Sequence, residues 1–169
     1  MTPKEFIKQY KPFALETERK TGISHLFTLA QAALESGWGK SVPGNMFFGV
    51  KAGKDTPDNK KQLLTTTEIL GSPNLKHLFP LVISVKTLPN GKYKYEVKVW
   101  FRKYDTPEEC FTDHAQFFFK NKRYAKALLV RSDPYKFAEE IANAGYATGL
   151  NYASSLKKVI KMIESYEKA

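Results

Sequence analysis

Apolar positions recur at helical spacing toward both ends of the chain and alternate singly in its middle. Thr2-Pro3-Lys4-Glu5 sets a capping hydroxyl before a first-turn proline and an acid that can reach back to the cap. That predicts a helix running to about Lys20 and closing near Gly22, with Pro12 the place for a bend. Ile23, Leu26, Phe27, Ala30, Ala33 and Leu34 form one stripe, so a second helix is expected over residues 24–36. Gly, Pro and Asn cluster over residues 37–53, which reads as an irregular segment.

The period then changes to two. Pro89-Asn90-Gly91 is a hairpin signal between expected strands at 79–88 and 92–104, and LLTTTEIL at 63–70 supplies a third strand. In the second hairpin strand Tyr93, Tyr95, Val97, Val99 and Phe101 alternate with Lys92, Lys94, Glu96, Lys98 and Trp100, giving one apolar side. Thr106-Pro107-Glu108-Glu109 repeats the capping signature and opens a helix to about Asn121. A short helical stretch at 123–130 follows. Asp133-Pro134 then opens a helix that Gly145 closes, and 151–168 forms a last, lysine-rich helix. Helices, a small sheet, then helices describe an α+β domain: a mainly helical body with a small antiparallel β lobe, about residues 60–104, inserted between helical halves.

Length makes this one domain, since 169 residues suffice for a real core. With 42% hydrophobic and 14% aromatic residues the composition is that of a folded chain. No apolar run approaches the ~18 residues of a transmembrane span. MTPKEFIKQY lacks a basic head followed by an apolar stretch, so no signal peptide is visible and the export route is unknown. The single cysteine, Cys110, excludes an internal disulfide and multi-cysteine metal sites, and reads as a small buried apolar residue. A net charge of +10 calls for an anionic partner: nucleic acid, an acidic membrane surface, or a polymer such as a bacterial cell wall. Lys157, Lys158 and Lys161 on the last helix read first as a solvated face.

Candidate chemistry enters through the second helix. Opposite its apolar stripe stand Ser24, Thr28, Gln31 and Glu35: small neutral polar side chains ending in one carboxylate, as in the wall of a cleft. Glu35 falls in the last turn, where the helix dipole disfavours an anion, and Trp38, Phe47 and Phe48 are near enough in sequence to desolvate it. Both effects raise a carboxyl pKa, as a general acid working near neutrality requires.

Glycosidic cleavage usually needs a second carboxylate. Glu96 alternates with lysines, Asp55 and Asp58 sit in a lysine-rich loop, and Asp113 stabilises a helix start. Glu68, after three threonines on the lobe, is the candidate that remains, against its reading as an exposed strand glutamate. His25, His77 and His114 have no metal-ligand spacing, and His114 reads as a packed or surface histidine, so no metal or other cofactor is expected.

Residues 30–51, AQAALESGWGKSVPGNMFFGVK, resemble the signature of glycoside hydrolase family 73, the β-N-acetylglucosaminidases of bacterial peptidoglycan. The likeness continues in order through TTTEIL, FRKYDTPEECFTDHAQFF, RYAKAL and AGYATGLNYASSLKKVI, and so covers nearly the whole chain. The resemblance implies a lysozyme-like fold and hydrolysis of the β-1,4 bond after N-acetylglucosamine in peptidoglycan glycan strands. The enzyme would act at the cell wall, as a monomer and without nucleic acid. It also implies catalytic roles for Glu35 as general acid, Glu68 as the lobe acid and Tyr146 in substrate orientation. Gln31, Trp38, Asn45, Phe47 and Phe48 are the expected substrate contacts. Two departures stand out: Gly149-Leu150 where the family often has Asp-Pro, and a long stretch at 71–91 that suggests an enlarged lobe. A lytic transglycosylase or muramidase, and a catalytically inactive wall-binding module, are the alternatives.

Overall fold

The first helix, α1, spans Pro3–Thr21 and is capped as its opening residues dictate. Glu5 N–H donates to Thr2 Oγ1 at 3.2 Å, and Thr2 N–H donates to the Glu5 carboxylate at 2.8 Å. The helix runs on through Pro12 and ends at Gly22, whose φ of +79° is left-handed. Glycine is required there twice over, because a Cβ would also lie 2.7 Å from Arg131 Nε. That nitrogen donates to the Thr21 carbonyl at 2.9 Å.

The computed structural model describes residues 1–147 and 151–168, so the departure at Gly149-Leu150 lies outside the described residues. It divides into a helical unit, Met1–Phe48 with Tyr104–Ala169, and an inserted unit, Gly49–Lys103.

In the helical unit, α2 (His25–Ser36) packs against α1, α5 (Pro134–Asn143) and α6 (Tyr152–Lys168). α3 (Pro107–Lys120) packs on α1, and the short α4 (Ala125–Leu128) joins α3 to α5. Leu29, Ala30, Gln31, Ala32 and Ala33 are all fully buried, so the middle of α2 is enclosed on every side rather than along one stripe. Its alanines permit that close approach. Leu34, expected in the core, is instead exposed, whereas Ser24 and Thr28, expected on an open wall, are buried. Beside α2 an aromatic cluster fills the interior: Phe27 meets Phe137 edge-on at 4.7 Å, and Phe118 packs on both.

His25 ties three helices together, with Nδ1 2.9 Å from Glu18 on α1 and Nε2 2.7 Å from Glu167 on α6. Cys110 is buried as expected, and desolvation pushes its thiol up to about 12, leaving it inert. Asp113, expected only to favour a helix start, also accepts a hydrogen bond from the Tyr104 hydroxyl at 2.7 Å.

The inserted unit holds an antiparallel sheet ordered β1-β3-β2, from β1 (Lys61–Leu70), β2 (Leu81–Thr87) and β3 (Tyr93–Arg102). β2 starts two residues later than the apolar run suggested. Pro80 has no N–H for the ladder, and Phe79 closes a preceding 3₁₀ turn instead. β3 alternates as its sequence requires, with Tyr95 and Val97 fully buried. The Tyr95 hydroxyl donates to the Ser72 carbonyl and accepts from Leu75 N–H, which pins part of the long 71–91 stretch to the sheet.

Candidate active site

Glu35 occupies the last turn of α2, where Gly37 (φ +60°) ends the helix. As a residue it is exposed, yet desolvation raises its carboxyl pKa above the ordinary range. The Tyr152 hydroxyl, at the start of α6, opposes that rise by favouring the charged form. Glu35 is therefore a surface group whose carboxyl is only partly solvated.

Behind it lies a network that crosses four elements. Tyr152 Oη accepts from Gln31 Nε2 at 3.0 Å, and the Tyr146 ring stacks on that of Tyr152 with centroids 5.6 Å apart. Gln31 Oε1 in turn lies 2.9 Å from His114 Nε2, and Tyr146 Oη lies 3.2 Å from the same nitrogen. An amide that donates through Nε2 to Tyr152 presents its oxygen to His114, so His114 Nε2 carries a hydrogen. The donors thus run from His114 through Gln31 to Tyr152.

Desolvation keeps this network neutral. It lowers His114 to about 3, so the imidazole is uncharged at neutral pH. Part of the His114 ring surface remains accessible, but Nε2 points inward and Phe48 stacks on the ring at 4.0 Å. Tyr152 is pushed up to about 12 and Tyr146 rises too, both chiefly by burial and further by the nearby Glu35 charge.

The other expected contacts divide. Gln31 has no exposed surface and sits inside the network, not on an open wall. Phe47 is core, edge-on to Tyr10 at 5.0 Å and tilted on Phe111 at 4.9 Å. Phe48 is half-buried. Trp38 and Asn45 share an unusual feature: among the described residues they are the non-glycine positions with positive φ, +58° and +57°. Such backbone costs about 1–3 kcal/mol and persists where packing over-determines it. Trp38 is held by its N–H on the Ala33 carbonyl at 2.8 Å and by its ring edge-on to Phe6 at 5.5 Å. Asn45 is held by Nδ2 donating to the Tyr104 carbonyl at 3.0 Å.

Glu68 belongs to the inserted unit. On β1 it pairs with Tyr95 of β3, so it shares the sheet face of the buried Tyr95 and Val97. Glu96 lies on the opposite face with Lys94 and Lys98, as its alternation indicated. Glu68 accepts a hydrogen bond from Lys51 Nζ at 3.2 Å and is only part-exposed, unlike an ordinary strand glutamate on a solvated face.

His114 as a partner of Gln31, and Tyr152, were not singled out by sequence reasoning. A signal existed for Tyr152: an aromatic at the first turn of an amphipathic helix, six residues after Tyr146 in AGYATGLNYASS. Among the described residues no group of three His, Cys, Asp or Glu side chains is placed to hold a metal ion, and no helix is long and apolar enough to cross a membrane.

The profile of the Glucosaminidase family, described as mannosyl-glycoprotein endo-beta-N-acetylglucosaminidase, matches residues 11–167. The peptidoglycan hydrolase FlgJ of Pseudomonas aeruginosa is 31% identical over 170 residues, covering 96% of this chain and 37% of its own length. The exo-glucosaminidase LytG of Bacillus subtilis is 32% identical over 147 residues, covering 83% of this chain and 43% of its own. The chain therefore spans less than half the length of these relatives. Among solved structures, the glycoside hydrolase domain of Salmonella typhimurium FlgJ superposes with a TM-score of 0.73 at 28% identity, over 99% of this chain and 92% of that domain.

Proposed function

This chain belongs to the Glucosaminidase family, a lysozyme-like group of glycoside hydrolases, and from that premise we propose that it hydrolyses peptidoglycan at the β-1,4 bond after N-acetylglucosamine. The observation that carries the reading is Glu35: a surface carboxyl that desolvation keeps protonated to higher pH than usual. A general acid must reach its substrate and still hold its proton, and this group meets both conditions.

In the proposed reaction the Glu35 O–H protonates the leaving glycosidic oxygen as positive charge develops on the sugar ring. Water then adds at the anomeric carbon. Either Glu68 takes its proton, or the substrate's own N-acetyl group attacks first and water opens that intermediate. Glu68 as base would stand about 6.5–9.5 Å from Glu35, and as covalent nucleophile about 5–5.5 Å. Tyr146 and the aromatic surface near Trp38 and Phe48 would orient the sugar. The enzyme would act on the wall, outside the cytoplasm, and the charge of +10 would favour an anionic wall while weakening with added salt.

Digestion of purified peptidoglycan followed by mass spectrometry tests this. Fragments with reducing N-acetylglucosamine ends, absent with Glu35→Gln, are expected. Anhydro-muramic ends, reducing muramic ends, or undiminished cleavage by Glu35→Gln would overturn it.

A further inference from the structure

We propose that the lysine-bearing face of the inserted sheet is a non-catalytic docking surface for peptidoglycan, which it holds through the carboxylates of the peptide stems. This rests on the reading of peptidoglycan as the substrate, and it deepens that reading.

Charge is divided unequally between the two units. Residues 49–103 carry 11 Lys and Arg against 4 Asp and Glu, a net +7, which leaves +3 of the total +10 for the larger helical unit. All but Arg102 of those cations are lysines. An ammonium acts as a point charge, suited to many diffuse contacts with a polymer rather than to one bidentate clasp.

The register of the sheet gathers part of this charge on one face. Directly opposed residues share a face, so Lys86, Lys94 and Ile69 form one row across the three strands. Ser84, Glu96 and Thr67 form the next row, and Leu81, Lys98 and Thr65 the one after. Trp100, opposite Leu63, continues the face, with Lys61 Nζ 4.9 Å from its ring centroid. Trp100 is 39% exposed, and Lys86, Lys94, Thr65 and Thr67 are exposed too, so the face meets solvent.

The fold alone disfavours this pattern. Like charges directly opposite each other across strands are destabilising, and Lys86 stands opposite Lys94 with no acid in their row. Among the described residues Lys86, Lys94 and Lys98 make no ion pair, and the Glu96 carboxylate lies 3.5 Å from Ser84 Oγ instead. An anion arriving from outside relieves the repulsion.

Shape and chemistry select that anion. At about 3.4 Å per residue, Lys94 and Lys98 stand ~14 Å apart with Trp100 ~7 Å further along, an extended array on a sheet surface. Such an array suits a strand bearing repeated carboxylates, and the part-exposed indole offers a sugar ring an apolar surface. Single-stranded nucleic acid is held by a succession of aromatic side chains, whereas Trp100 is the one aromatic in these positions.

The test is co-sedimentation of the intact chain with purified peptidoglycan freed of phosphate-containing polymers. The chain carries Glu35→Gln so that the polymer is not consumed. Adding Lys86→Gln, Lys94→Gln and Lys98→Gln together is expected to weaken binding about ten-fold at low salt, and far less at ~0.5 M salt. Blocking the stem carboxylates as amides should bring the parent chain down to the level of that variant. The Tm of the variant should equal or exceed the parent's, because a repulsive pair has been removed. Unchanged binding by the variant, undiminished binding to the blocked polymer, or a Tm below the parent's overturns the proposal. So does a loss confined to duplex DNA or to anionic phospholipid vesicles, measured in parallel. With Glu35 intact, the three substitutions should leave kcat/KM on a short uncharged glycan fragment unchanged while slowing cleavage of whole peptidoglycan. Failure of the substrate reading is seen separately, as cleavage that persists in the Glu35→Gln chain or as products without reducing N-acetylglucosamine ends.

Discussion

Gln31, on α2, donates through Nε2 to the hydroxyl of Tyr152, the first residue of α6, at 3.0 Å, one turn of helix before Glu35. Two helices from distant parts of the sequence are thereby joined beside a single carboxyl. Desolvation outweighs the opposing influence of the Tyr152 hydroxyl, so the net effect on Glu35 is a raised carboxyl pKa. The consequence for stability has a definite sign. A carboxyl whose folded pKa exceeds its unfolded value favours the folded state when protonated. That contribution is fully present below the unfolded pKa and fades as pH rises through the folded one. Glu35→Gln removes the penalty at high pH. Its Tm should exceed that of wild type at pH 7 to 8 and converge with it near pH 4, as scanning calorimetry would record. Equal Tm values across that range would mean that the carboxyl is not desolvated.

The buried glutamine gives a second prediction. Gln31→Met keeps volume and helix propensity but leaves Tyr152 Oη without its donor and His114 Nε2 with only the longer contact to Tyr146 Oη. Each unsatisfied buried polar group costs about 1–3 kcal/mol, so urea unfolding should show a loss of roughly 2 kcal/mol or more. A loss under about 0.5 kcal/mol would mean that the network contributes no more than a surface contact.

How far the sequence was legible follows from where each signal resides. Thr2, Pro3 and Glu5 form a local motif, and the cap they build is present bond for bond. Pro89-Asn90-Gly91 and the alternation of Tyr93 to Phe101 are equally local, and so is the position of Glu35 at a helix end. The network of Gln31, His114, Tyr146 and Tyr152 is not local, since four separate segments meet in it. No periodicity relates those residues. The polar face of α2 illustrates the same limit: small neutral side chains suit an open cleft wall and a buried hydrogen-bond network alike. Only packing against α6 and α3 decides, and for Thr28 and Gln31 it decides for burial.

His114 yields a prediction on the acid side. Its folded pKa, near 3, lies below its unfolded value, so the unfolded chain binds the extra proton between about pH 6.5 and 3. Stability contributed by the neutral imidazole is present above pH 6.5 and is lost as pH falls through that window. His114→Gln should be less stable than wild type at pH 7 and should lose less on going to pH 5. Denaturant unfolding at the two pH values measures this, and an identical pH dependence in both proteins would refute it.

Glu68 and Lys51 separate charge pairing from chemistry. Their ion pair at 3.2 Å is largely solvated on the lysine side, and exposed pairs contribute about 0–1 kcal/mol, so Lys51→Met should unfold within ~0.5 kcal/mol of wild type. Glu68→Gln should likewise fold normally. Its place on the face of Tyr95 and Val97 distinguishes it from Glu96, which lies on the other face with Lys94 and Lys98. If it takes the proton of the attacking water, Glu68→Gln should lower kcat by about 10²-fold with little change in KM, whereas Glu96→Gln should leave both intact. Steady-state cleavage of a soluble glycan-strand fragment would measure the three variants together. Full activity in Glu68→Gln would remove the lobe carboxylate from the mechanism and leave the N-acetyl route to accompany Glu35.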